Sequence, residues 1–100
     1  MNLNPQAGHE QSGRRPVLVL SPAAYNERTG LAIVCPLTTK IKGYAFEVAT
    51  EVGGRRGVVL ADLVKSVDWT ARRAEFGEIL AAETVTRVAA LVSALISAQA

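Results

Sequence analysis

Apolar residues come first in short runs and last at helical spacing. Val17 to Leu20 and Leu31 to Leu37 are continuous apolar stretches, β-branched in part, and predict strands covered on both faces. The connector between them, Ser21 to Gly30, has room for one helical turn after Pro22. Tyr44, Phe46 and Val48 alternate with Ala45, Glu47 and Ala49, the pattern of a strand with one wet face. Gly53-Gly54-Arg55-Arg56-Gly57 predicts a turn that leads into a buried strand, Val58 to Ala61. Val67 to Trp69 and Glu75 to Ile79 complete the strand-like segments. From about Ala82 the period changes: Val85, Val88, Val92 and Leu95, joined by Ala89, Leu91 and Ile96, fit one side of a helix. Its other side is thin in polar groups (Thr86, Arg87, Ala90, Ser93, Ala94), so it must pack on the sheet, on another subunit, or on both. Many short strands and one closing helix predict a mainly β, α+β fold of the small-barrel type.

A chain of 100 residues is expected to form one domain over 1–100, with enough apolar content for a modest core. The longest apolar candidate, Ile79 to Ile96, is interrupted by Glu83 and Arg87, which argues against a membrane span. The polar N-terminus argues against an export signal, and the single Cys35 fits a reducing cytoplasm. One His and one Cys cannot build a standard zinc site, so no metal or other cofactor is expected. Net charge is only +2, but Arg14-Arg15, Arg55-Arg56 and Arg72-Arg73, with Lys40, Lys42 and Lys65, could form a nucleic-acid footprint if the fold gathers them.

The densest chemistry lies just before the first apolar run. Gly8-His9-Glu10-Gln11-Ser12-Gly13-Arg14-Arg15-Pro16 collects the only histidine, a carboxylate and two guanidiniums on one loop. Such groups can move protons around a phosphodiester and neutralise its charge without a metal.

Together with its neighbours this loop resembles the MazF/PemK family of bacterial toxins, the mRNA-cleaving endoribonucleases of toxin–antitoxin pairs. The resemblance is carried by Gly8 to Pro16, Val17 to Asn26, Cys35-Pro36-Leu37-Thr38-Thr39, Lys42 to Val48, and Gly57 to Trp69, in family order and spacing. It implies an SH3-like small β-barrel with a C-terminal helix, assembled as a homodimer in the bacterial cytoplasm. It further implies metal-independent, sequence-specific cleavage of single-stranded RNA to 2′,3′-cyclic phosphate and 5′-hydroxyl ends. The implied inhibitor is a MazE-like antitoxin that threads an acidic tail across the RNA groove. One departure is large: members usually open with an Arg-Gly-Asp strand, where this sequence has only Met1-Asn2-Leu3 before Asn4-Pro5. Either the start was assigned too late or the chain is shortened, and a shortened chain would leave a strand edge open.

Carried over residue by residue, the resemblance makes Arg15 the centre of the site, with a planar fork suited to phosphate. It assigns Thr38 as the second catalytic position, a hydroxyl that can donate to a phosphate oxygen. Glu10 is the loop glutamate, acting as base or orienting Arg15, and His9 is a natural acid–base group where other members carry serine. Asp62 matches a carboxylate that PemK-type members use with the loop histidine and an arginine, but Leu60 occupies that arginine's position, so the assignment goes to the MazF-type pair Arg15 and Thr38, and Asp62 equally suits a cap at the end of its strand. RNA contacts are expected from Arg14, Lys40, Lys42 and Lys65, with Asp62 beside them and Tyr44 or Trp69 offering a stacking face; Tyr25 and Asn26 would border the groove. Phe46, Trp69 and Cys35 read as packing residues. The runner-up is a catalytically impaired barrel that binds RNA or antitoxin without cutting. A gyrase-poison reading needs a tryptophan near the C-terminus, and this chain's only one is Trp69.

Overall fold

The computed structural model describes residues 2–3, 16–71, 75–76 and 79–97. Its elements are β1 (Asn2–Leu3), β2 (Val17–Val19), α1 (Ala23–Thr29), β3 (Leu31–Thr38), β4 (Glu47–Val52), β5 (Arg55–Leu60), a 3-10 turn (Ala61–Leu63), β6 (Lys65–Asp68), β7 (Glu75–Phe76) and α2 (Ala82–Ser97). The expected mainly β fold with a C-terminal helix is what forms. Of the expected first strand, β1 pairs parallel with β7, Asn2 facing Glu75 and Leu3 facing Phe76.

Strand β3 organises the sheet. β2 runs antiparallel along one edge, with Leu18 facing Cys35. Along the other edge β5 and β6 lie end to end, both antiparallel to β3. Leu37 faces Val59 and Val34 faces Lys65, so β3 moves three residues while its partner moves six. The surplus is taken up by the 3-10 turn Ala61–Leu63, which bulges out of the ladder. This bulge explains a proline in a central strand. The N–H groups of Ile33 and Leu37 point to the β2 side, so the missing donor of Pro36 faces the other edge, opposite the bulge.

The apolar runs bury on alternate faces, as their continuity predicts. Leu18, Cys35, Leu37, Val48, Val59 and Ala61 form one core, closed by Leu80 and Val88. Val17, Val19, Ala32, Val34 and Val67 form a second core on the other face, with Trp69 packed against it. Burying a side chain such as Leu18 contributes roughly 2 kcal/mol. On α2, Val85, Val88, Leu91 and Val92 meet the sheet, whereas Leu95 and Ile96 stay exposed, so the apolar stripe extends beyond what the sheet covers. Among the described residues, no helix is long and apolar enough to cross a membrane.

Three expectations need correction. The connector helix is longer than one turn: α1 holds seven residues and ends at Gly30, whose φ of 75° suits glycine. The segment from Tyr44 to Phe46 is not strand; β4 begins at Glu47. The arginine turn is shorter than expected, because only Gly53-Gly54 turns, with φ of 59° and 79°, while Arg55 to Gly57 already belong to β5. Two positive φ values in a two-residue loop match the strand twist of a tight hairpin.

Candidate active site

β3 and β4 flank β5 on opposite sides, so the intervening segment 39–46 must cross over. This crossover carries Lys40, Lys42 and Tyr44, all exposed, and it starts from Thr38 at the end of β3.

Thr38 is held by the approach of two strands. It faces Val58 on β5, and a Cβ on the neighbouring Gly57 would lie 2.6 Å from the Thr38 carbonyl oxygen. Only glycine lets the strands come this close, a requirement set by contact rather than by φ. The Thr38 Oγ1 accepts the Lys40 N–H at 3.1 Å, which bends the chain into the crossover and leaves the hydroxyl proton available to a further acceptor.

Glu47 then fixes the middle of the crossover. Its carboxylate accepts the Lys42 N–H at 3.0 Å and the Gly43 N–H at 2.8 Å. Gly43 sits at φ 84°, the left-handed geometry that turns both amides toward the carboxylate. The Glu47 N–H donates to the Tyr44 carbonyl at 3.1 Å, and the Ala61 N–H to the Phe46 carbonyl at 3.0 Å. Tyr44 and Phe46 meet edge to face, ring centroids 6.4 Å apart.

Asp62 projects from the 3-10 turn and accepts the Tyr44 hydroxyl at 3.1 Å. Partial desolvation and this bond raise the Tyr44 pKa above its usual value, with the charges of Asp62 and Glu47 adding to the effect. The hydroxyl therefore remains a donor throughout the neutral range. Behind the turn, Cys35 donates to the Ala61 carbonyl at 3.8 Å. Burial, then the charge of Asp62, pushes its thiol up to about 11, so it stays protonated and inert, as a packing residue should.

The structure thus strings Lys40, Lys42 and Tyr44 along the crossover between Thr38, at the end of β3, and the 3-10 turn that bears Asp62, which lies past the opposite end of the β3–β5 pair. Lys65 is exposed at the start of β6 beyond the turn, in register with Val34. Leu60 ends β5 opposite Glu47. His9, Glu10, Arg14 and Arg15 lie outside the described residues, but the residue bonded to Arg15 does not: the Pro16 carbonyl accepts the Leu37 N–H at 3.2 Å. Asn26 is engaged internally, accepting the Ser21 hydroxyl at 2.6 Å through Oδ1 and the Trp69 indole N–H at 3.0 Å through its carbonyl. Phe46 and Trp69 are half-buried. The residue that sequence reasoning missed is Glu47, read only as the wet side of a strand. The signal was available: a carboxylate four residues after a Lys-Gly pair can reach back to the turn's amides.

A family model described as the PemK-like, MazF-like toxin of type II toxin–antitoxin systems matches residues 1–96. The endoribonuclease toxin MazF of Escherichia coli (strain K12) is 44% identical over 96 residues, spanning 96% of this chain and 86% of that protein. The endoribonuclease PemK of Escherichia coli is 42% identical over 77 residues, spanning 72% of this chain and 58% of that protein. Among solved structures, a MazE–MazF crystal structure (Form II) from Deinococcus radiodurans matches with a TM-score of 0.81 at 46% identity, covering 96% of this chain and 98% of that one.

Proposed function

This chain belongs to the PemK-like, MazF-like toxin family, and from that membership we propose that it is an endoribonuclease acting on single-stranded mRNA. It cuts at short sequences, without a metal, in the bacterial cytoplasm. A MazE-like antitoxin, the partner named in the Deinococcus radiodurans complex, restrains it, and the working form is a homodimer of a single toxin domain.

In this mechanism the RNA 2′-hydroxyl attacks the adjacent phosphorus. A P–O2′ bond forms, the P–O5′ bond breaks, and a 2′,3′-cyclic phosphate and a 5′-hydroxyl result. Glu10 takes the 2′ proton, His9 assists proton delivery to the departing 5′ oxygen, and the Arg15 guanidinium and Thr38 hydroxyl stabilise charge on the non-bridging oxygens. Arg14, Lys40, Lys42 and Lys65 hold neighbouring phosphates, and Tyr44, steadied by Asp62, takes a base on its ring.

The observation that carries this reading is the hydrogen bond from Leu37 N–H to the Pro16 carbonyl. That bond joins the residue that follows Arg15 in the chain to the residue that precedes Thr38, which supports pairing the two in one site. The test is incubation of a long RNA with the purified protein in excess EDTA. Discrete cuts ending in cyclic phosphate are expected, and Arg15→Ala should lower the rate at least about 100-fold, the scale of removing a charge-stabilising donor. RNA bound but left intact at every protein concentration would overturn the enzymatic reading. Cutting that survives Arg15→Ala would overturn the assignment of the site.

A further inference from the structure

We propose that Glu47 is a positioning residue for RNA: its carboxylate presets the crossover 39–46 as a binding surface, and the inference rests on the endoribonuclease reading above. Both carboxylate oxygens bind backbone, one on the Lys42 N–H and one on the Gly43 N–H. The side chain thus brackets two consecutive amides in the stretch that bears Lys40, Lys42 and Tyr44. Without it those amides would need water, and a segment lacking regular secondary structure would sample many conformations. The cost of selecting the binding-competent one would then fall on RNA binding and weaken it.

Two further features point the same way. Gly43 has a φ of 84°, and a Cβ there would meet nothing within 4 Å. The glycine is therefore needed for backbone geometry alone, and that geometry is what aims the two amides at Glu47. The crossover is also anchored at both flanks, by Lys40 N–H on the Thr38 hydroxyl and by Tyr44 on Asp62. Glu47 closes the middle, and in doing so its negative charge is matched to amide donors beside two lysines. An acidic side chain beside an RNA-facing loop is otherwise unfavourable, since it repels phosphate.

The role is distinct from catalysis, because Glu47 faces backbone and no reacting atom. Its loss should raise KM for RNA and spare kcat. The experiment compares the full chain with Glu47→Ala, Glu47→Gln and Gly43→Ala, measuring kcat and KM on a short fluorescent RNA. Melting temperature and hydrogen exchange at the Lys42 and Gly43 amides are followed in parallel. Expected are a KM raised about 5- to 20-fold in Glu47→Ala with kcat within twofold, a smaller rise in Glu47→Gln, which keeps one acceptor, and faster exchange at both amides. Gly43→Ala should reproduce the KM effect without touching the carboxylate. An unchanged KM in Glu47→Ala, or a fall in kcat that tracks the melting temperature, would overturn the proposal while the endoribonuclease reading stood. A wild-type protein that neither binds nor cuts RNA would overturn both.

Discussion

The two ends of β3 are furnished with similar polar side chains, and they use them in opposite ways. At the start of the strand, the Ser21 hydroxyl donates to Asn26 Oδ1 at 2.6 Å and accepts the Ile33 N–H at 2.9 Å, while Trp69 donates to the Asn26 carbonyl. Every partner there belongs to the protein, and the network is partly buried, so its product is a fixed seat for α1. Along the crossover that leaves the far end, Thr38, Glu47 and Asp62 also bind protein groups, but what they fix is exposed: two lysines and a tyrosine. Polar residues that satisfy one another build structure. Polar residues that hold a loop open to solvent build a surface for something else.

The largest expected effect separates the ends at Gly57. Its added Cβ would press to 2.6 Å from the Thr38 carbonyl oxygen, and the atoms it would meet are backbone, which cannot swing aside as a side chain could. Gly57→Ala should therefore cost about 1–3 kcal/mol of stability and shift Thr38. Thermal melting should fall and cleavage should drop at least about tenfold at temperatures where the variant remains folded, since a displaced catalytic group loses rate steeply. Lowered stability with an unchanged rate would break the link between Thr38 and the chemistry.

A smaller effect, confined to stability, is expected at the other end. Ser21→Ala removes the acceptor of the Ile33 N–H and a donor to Asn26 in partly buried surroundings. The loss should be about 1–2 kcal/mol, read as a lower urea midpoint with unchanged slope. kcat and KM for RNA should match the wild type. A change in either would mean that the start of β3 also faces the substrate, and the contrast between the ends would fail.

How much of this was legible in the sequence follows from how local each cause is. The apolar runs of β2 and β3, the helical period of α2 and the Gly53-Gly54 turn carry their own signals, and all form near where the pattern puts them. The alternation from Tyr44 to Ala49 misled because its first half belongs to the crossover: the Glu47 side chain folds back on Lys42 and Gly43, and the strand starts only there. The 3-10 turn was hidden inside an apolar run, since it exists to absorb a register difference between β5 and β6 on β3. Gly57 looked like the end of a turn because its constraint, the Thr38 carbonyl, is distant in sequence. The resemblance supplied the roles expected of Thr38 and Asp62. It could not supply the Glu47 bracket, which becomes visible only when backbone amides are traced to their acceptors.

The smallest effect offers the finest division within the active end. Tyr44, 41% exposed, offers two things, an aromatic ring and a hydroxyl bonded to Asp62. Tyr44→Phe keeps the ring and removes the bond, whereas Tyr44→Ala removes both. An exposed hydrogen bond exchanges with water at little net gain, so Tyr44→Phe should leave the melting temperature unchanged within error and RNA affinity within about threefold. If the ring stacks on a base, Tyr44→Ala should weaken affinity by about fivefold or more, the scale of losing one aromatic platform. Any effect of Tyr44→Phe on affinity should also disappear in an Asp62→Ala background, because the two changes remove the same orienting contact. Equal losses in Tyr44→Phe and Tyr44→Ala would instead assign the function of this residue to its hydroxyl, and Asp62 would then be acting on the substrate through it rather than holding a platform steady.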